Sequence, residues 1–304
     1  MKVPERVERT TGRHALVDGI PFTLPVASQR TPALMAVFPC SASAAARLLP
    51  GTEVHPFRLW GDTGLLVITV VDYLFTNIGR YVEFSIAIAC THGAKAGPAL
   101  VPGLLMKHYD TGQFVVDLPV STEVSVKGGK GIWGMPKHQA NLDFVIRDDR
   151  VWSQYDLDGQ LAMRIEVKRP RLVTGLPVGM AAVNFCAFRG MLMKSYIYFR
   201  GHADLNLPFT RSARLELGPS PRMDPLRELG IGSRPLFSGF FPETRGVLDD
   251  HVESWFLSYD SPPTTAPEGL ESVVGLGLGE DWLPPPDDPA ANGGAHAPRG
   301  QVQR

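Results

Sequence analysis

Lys137 carries the clearest chemical potential in this chain. It stands near the end of the segment Lys127 to His138, KGGKGIWGMPKH, directly after Met135-Pro136 and shortly after Ile132 and Trp133. Proline fixes its own φ and biases the preceding residue towards an extended conformation, which holds the following side chain in a defined direction. Apolar surroundings strip water from an ammonium. That disfavours the charged form and leaves an amine able to attack a carbonyl carbon. The same residues also suit a surface lysine after a turn, with its stem lying on Trp133. Lysine is scarce here: only eight of the 30 basic residues are lysines, so one in an apolar setting stands out.

A proton-transfer partner is available on Tyr81 to Cys90, YVEFSIAIAC, which alternates with a period of two. Val82, Phe84, Ile86 and Ile88 fall on one face and Glu83, Ser85, Ala87 and Ala89 on the other. A carboxylate on a face of small residues has room for a substrate beside it. The alternative is a solvent-facing glutamate on a half-exposed strand. Arg30 could hold a substrate carboxylate through two parallel hydrogen bonds, or be an ordinary surface arginine. His138 follows Lys137 directly, and alternation in an extended chain would turn it away from the lysine.

Other chemistries find little support. His92, His108, His202 and His251 are scattered without metal-ligand spacing, so no metal is expected. Cys40, Cys90 and Cys186 are far apart and odd in number, which excludes a disulfide framework and a CxxC site. Gly128-Gly129-Lys130-Gly131 lacks the pattern of a phosphate loop, and there is no GxSxG elbow.

The elements that must position these residues read mainly as strands. They are Gly64–Phe75, Tyr81–Cys90, Phe114–Leu118, Leu142–Arg147, Val151–Leu157, Leu161–Val167, Met191–Phe199, Ala213–Leu217 and Leu236–Phe241. Asp148-Asp149 and Asp158-Gly159 join successive strands as positive-φ hairpin turns. Helices look few and short: Ser41–Leu49 capped by Ser41, Ser121 to about Lys130, and Asp224–Gly230. Strands joined by turns, without regular intervening helices, predict a mainly β fold, an antiparallel barrel or curled sheet around a central pocket.

The chain has 304 residues and a formal charge of -1, with 44% hydrophobic and 20% charged residues, which suits a sizeable folded core. The charge balance argues against nucleic acid or a membrane surface as partner. No apolar run approaches the length of a membrane span, and the charged N-terminus has no secretory core, so a cytoplasmic location is expected. Residues 1–260 read as one domain. Residues 261–304, rich in Pro and Gly, read as a mostly flexible tail, with Leu270–Leu283 the part able to dock.

The segment Gly129-Lys-Gly-Ile-Trp-Gly-Met-Pro-Lys137-His138 resembles the acetoacetate decarboxylase family, in which Gly-Arg-Glu-x-x-Gly-φ-Pro-Lys-Lys carries the Schiff-base lysine. That lysine falls on Lys137, and His138 replaces the second lysine of the pair. Tyr81-Val82-Glu83 matches an upstream Tyr-x-Glu. Ser212–Leu217 and Gly239–Gly246 resemble the closing strands, so the resemblance spans most of Arg30 to Asp250. It implies a lyase acting on a 2-oxo or 3-oxo acid or a ketone without a cofactor. Lys137 and Glu83 would be catalytic, with Arg30, Tyr81, Trp133 and Met135 around the substrate. It also implies a homo-oligomer. Decarboxylation and aldol condensation with dehydration both proceed through an enamine on such a lysine. A non-covalent binder or cyclase using the same pocket is the other reading.

Overall fold

The computed structural model describes residues 4–8, 12–170, 172–261 and 264. The segment Leu270–Leu283, and nearly all of the expected tail, lies outside the described residues. Eleven strands and two helices position the site: β1 (Val26–Ser41), α1 (Ala42–Ala46), β2 (Thr63–Tyr73), β3 (Tyr81–His92), β4 (Gly112–Val120), α2 (Glu123–Trp133), β5 (Lys137–Gln139), β6 (Arg150–Leu157), β7 (Gln160–Lys168), β8 (Val173–Phe188), β9 (Met191–Leu205), β10 (Ala213–Leu217) and β11 (Phe237–Phe256).

Seven of the strands close a barrel in the order β3, β2, β1, β11, β9, β8, β4, with β4 pairing back onto β3. Closure leaves none of these seven at a bare sheet margin along its whole length, and it creates an interior. The joints are antiparallel except that between β8 and β4, which is parallel, as is the short pairing of β5 onto β4. A smaller sheet of β6, β7 and β10 packs on the outside of the barrel wall. Its β6–β7 hairpin turns at Asp158-Gly159, both at positive φ as the sequence predicts. Asp148-Asp149 does not adopt that geometry. The chain there passes from the two-residue strand Val145–Ile146 into β6, closed by Arg147 N donating to Arg150 O (2.9 Å).

The alternation on β3 is what separates core from cavity. Phe84, Ile86 and Ile88 point outwards and are fully buried against Tyr155, Met163 and Ile165 of the outer sheet. Glu83 and Ser85 face the barrel interior. Each large side chain buried in this way contributes about 1.5–3 kcal/mol. Among the described residues no helix is long and apolar enough to cross a membrane.

Two long strands of 16 residues each, β1 and β8, were not revealed as continuous by the sequence. β1 runs through Pro32 and Pro39, and β8 through Gly175, Pro177 and Gly179. These residues ordinarily mark turns or strand edges.

Candidate active site

Lys137 is aimed by the turn that precedes it. α2 starts at the N-cap Thr122, whose hydroxyl accepts from Ser125 N, and ends at Gly134 in the left-handed region (φ 65°). Expectation placed this cap one residue earlier, at Ser121. Gly134 N donates to Lys130 O and Met135 N to Gly129 O, which fulfils carbonyls left open at the helix end. Lys137 N then donates to Met135 O (2.7 Å), closing a three-residue turn around Pro136. The reversal sends the lysine stem back across α2 at Gly129 and registers Lys137 against Leu118 of β4.

The ammonium ends up almost wholly buried, 3% exposed. Lys137 Nζ lies 2.7 Å from Glu83 Oε2 and donates to Ser125 Oγ at 2.9 Å. It also lies 5.3 Å from the centre of the Tyr81 ring. Tyr81 stacks on Tyr73 with ring centres 4.5 Å apart. Both phenols lie close enough to Glu83 to feel its charge. Both phenols are held well above the ordinary tyrosine range, first by burial and then by the charge of Glu83, so they act as neutral donors. A buried ion pair of this kind needs extra hydrogen bonds to offset the lost hydration, and Ser125 supplies one to the ammonium.

The pair opens onto a cavity of about 130 Å³ inside the barrel, lined from all seven strands together with Met135 and Lys137. Its walls are mostly apolar. Thr31 lines it too, and among the described residues Thr31 Oγ1 is buried with no hydrogen-bond partner. A larger open cleft, about 660 Å³, lies outside the barrel near Lys168, Arg214 and Arg227 and holds none of this machinery.

Of the six residues singled out from sequence, four meet here: Lys137, Glu83, Tyr81 and Met135. Arg30 and Trp133 do not line the cavity. Arg30 sits at a bulge where Thr31 pairs with Thr244 and Ser28 with Gly246. It adopts a left-handed φ of 50°, and its exposed guanidinium lies over the Phe75 ring, leaving the inward positions to Ser28 and Thr31. Trp133 is buried under α2, where its indole N–H donates to Asp249 O at 2.7 Å. Ser125 and Tyr73 were missed. Ser125 becomes a site residue only through the N-cap register of α2, and Tyr73 only because β2 pairs it with Tyr81.

His138 points away from Lys137, as strand alternation requires. Its Nε2 lies 2.9 Å from Asp117 Oδ1. Arg222 grips the same carboxylate through two nitrogens, at 2.6 and 3.0 Å, and Tyr155 donates to it at 3.0 Å. Burial alone would raise the Asp117 pKa, but the hydrogen bonds from His138 and Arg222 outweigh it and hold the carboxyl below its usual range. The two neighbours on β5 thus serve opposite sides of the wall: Lys137 the cavity, His138 the packing of β4 on the outer sheet. Among the described residues no three His, Cys, Asp or Glu side chains gather to hold a metal.

A closed barrel with a lysine–carboxylate pair sunk in its cavity is the class of protein that fold and site define. The acetoacetate decarboxylase family model matches residues 9–244, and the chain belongs to that family. Solved structures agree in fold. The acetoacetate decarboxylase of Legionella pneumophila superposes with a TM-score of 0.54 at 13% identity, covering 82% of this chain and 90% of that one. The enduracididine biosynthesis enzyme MppR gives 0.52 at 15%, covering 79% and 90%. An acetoacetate decarboxylase-like enzyme from Sphingomonas wittichii RW1 gives 0.52 at 13%, covering 77% and 94%. No curated protein matches the chain significantly in sequence.

Proposed function

We propose that the protein is a Schiff-base-forming lyase that takes a 2-oxo or 3-oxo acid, or a related ketone, onto Lys137. The observation that carries this reading is the position of Lys137 Nζ, buried at the cavity wall between Glu83 Oε2 and Ser125 Oγ. The ammonium hands a proton to Glu83, and the freed lone pair attacks the carbonyl carbon. The carbonyl oxygen takes up two protons and leaves as water, giving a protonated imine. The iminium nitrogen then accepts an electron pair from the adjacent carbon. Loss of carbon dioxide from a 3-oxo acid, or loss of a proton from a methyl group, yields the same enamine. Protonation at carbon ends a decarboxylation; attack on an aldehyde makes a carbon–carbon bond. Glu83 is within reach to move each of these protons, and Tyr81 and Met135 line the same cavity. The family supports an oxo-acid enzyme in general, and MppR has been solved with the condensation product of pyruvate and imidazole 4-carboxaldehyde.

The test is borohydride reduction in the presence of acetoacetate, pyruvate or acetone, followed by peptide mass spectrometry. A reduced adduct on Lys137 is expected, and Lys137→Arg, which keeps the charge but forms no imine, should abolish it. An intact fold with no adduct from any carbonyl compound would leave a non-covalent binder or cyclase in its place.

A further inference from the structure

The cavity extends well beyond the space that a reacting carbonyl needs. Lys137 is registered with Leu118, and Gln113 stands five residues along the same strand (118 − 113 = 5). At about 3.3–3.4 Å per residue, that is roughly 17 Å of wall. Both ends line the same cavity, and Val115 and Ala182 line it with them. A water's share of liquid volume is about 30 Å³, so a cavity of 130 Å³ has room for about four waters.

The far end is built differently from the walls. Gln113 and Asn184 face one another across the parallel joint of β4 and β8, and Gln113 Nε2 donates to Asn184 Oδ1 at 2.8 Å. That bond uses one donor and one acceptor. Gln113 Oε1 and Asn184 Nδ2 have no further hydrogen bond among the described residues, although Asn184 is only 4% exposed. A buried amide with unused capacity in a cavity wall calls for a polar occupant. Charge decides which kind. Lys137 is the only cation lining the cavity among the described residues, and Glu83 already neutralises it. A carboxylate at the far end would be buried without a counter-charge, which is strongly unfavourable; a hydroxyl, amide or carbonyl group would not be.

We infer that Gln113 and Asn184 form a specificity subsite for an uncharged hydrogen-bonding group at the distal end of an elongated oxo substrate, whose apolar middle lies along Val115 and Ala182. This rests on the imine reading of Lys137 and names the substrate class that the site takes.

The experiment is borohydride trapping on the full-length protein with acetone and with methyl ketones of increasing length, each ending in methyl, hydroxyl or carboxylate. At the length that reaches the amides, the hydroxyl end should be trapped about five- to tenfold more efficiently than the methyl end, as one or two neutral hydrogen bonds allow. The carboxylate end should be the poorest. The double variant Gln113→Leu/Asn184→Leu leaves neither amide stranded and should bring the hydroxyl-to-methyl ratio close to one. Trapping of acetone with no preference among the long ketones, or with the carboxylate end preferred, overturns the subsite and leaves the imine reading standing. The wild-type series decides this even if the variant does not fold. Failure of every ketone, acetone included, removes the imine reading and the subsite with it.

Discussion

The stem of Lys137 occupies the place where a side chain on Gly129 would be. A Cβ added to Gly129 would overlap Lys137 Cδ and come within 2.7 Å of its Cε. A glycine inside a helix costs about 1 kcal/mol relative to alanine, so its presence in the middle of α2 serves the lysine rather than the helix. Gly129→Ala should therefore cut borohydride trapping at Lys137 at least about tenfold, because a misplaced amine loses its attack geometry. Far-UV circular dichroism and melting should change little, since the gain in helix propensity opposes the local clash. Trapping at the wild-type rate would show that the stem can move aside freely.

Lys137 and Glu83 form a pair in which each justifies the burial of the other. Lys137→Met leaves the Glu83 carboxylate buried alone and should destabilise the fold by about 3–5 kcal/mol. Lys137→Met/Glu83→Leu removes both charges and should recover much of that loss. Urea melts of the four proteins of the cycle measure it. Strict additivity would mean that the two groups do not interact energetically.

Acid should weaken the packing of β4 on the outer sheet. Asp117 is below its usual pKa in the folded state, so it contributes stability above the ordinary carboxylate range. That contribution disappears as pH falls through the lowered value. Stability should hold down to about pH 4 and then decline. Asp117→Asn should be less stable at neutral pH by about 1.5–3 kcal/mol, the worth of charge-assisted hydrogen bonds, and should show a flatter decline in acid. Equal acid slopes for both proteins in denaturant melts would remove Asp117 as the cause.

The alkaline limit has a separate origin. Lys194 is buried, with Nζ 2.6 Å from Asp110 Oδ1. Burial alone would pull its pKa down, but hydrogen bonds to Asp110 and Tyr196 outweigh it and push it up to about 12. Its contribution is full below the ordinary lysine value, near 10.4, and disappears as pH rises through about 12. Lys194→Met should be the less stable protein at pH 8, and the difference in melting temperature should shrink above pH 10.5. A difference that stays constant with pH would mean that Lys194 acts through packing alone.

How much was legible follows the range of the interactions. Period-two alternation placed Glu83 and Phe84 on opposite faces of one strand, because that pattern is local to the strand. Pro136 similarly announced a directed Lys137. What escaped was set by partners far along the chain. Tyr73 joins the site only through pairing with Tyr81, and Ser125 only because α2 begins at Thr122. Arg30 is turned outwards by a bulge, and a one-residue insertion in the pairing of β1 with β11 leaves no mark in composition. The prolines of β1 and β8 disguised strands that the closed ring keeps continuous.

The parallel joint between β8 and β4 holds only two residue pairs, Asn184 with Gln113 and Phe185 with Phe114, the fewest of the seven joints. It links positions 71 residues apart in sequence. Loop-closure entropy makes such a contact late to form, and a short ladder makes it early to open. In folding, the barrel would begin as a curled ribbon and become a ring only when this seam meets. The short ladder predicts that the native ring opens first at this seam: backbone amides of Gln113 and Phe185 should exchange with deuterium ahead of those in the long β9–β11 ladder. A ligand bridging Gln113 and Asn184 would then act as a clasp, slowing that exchange from inside the barrel.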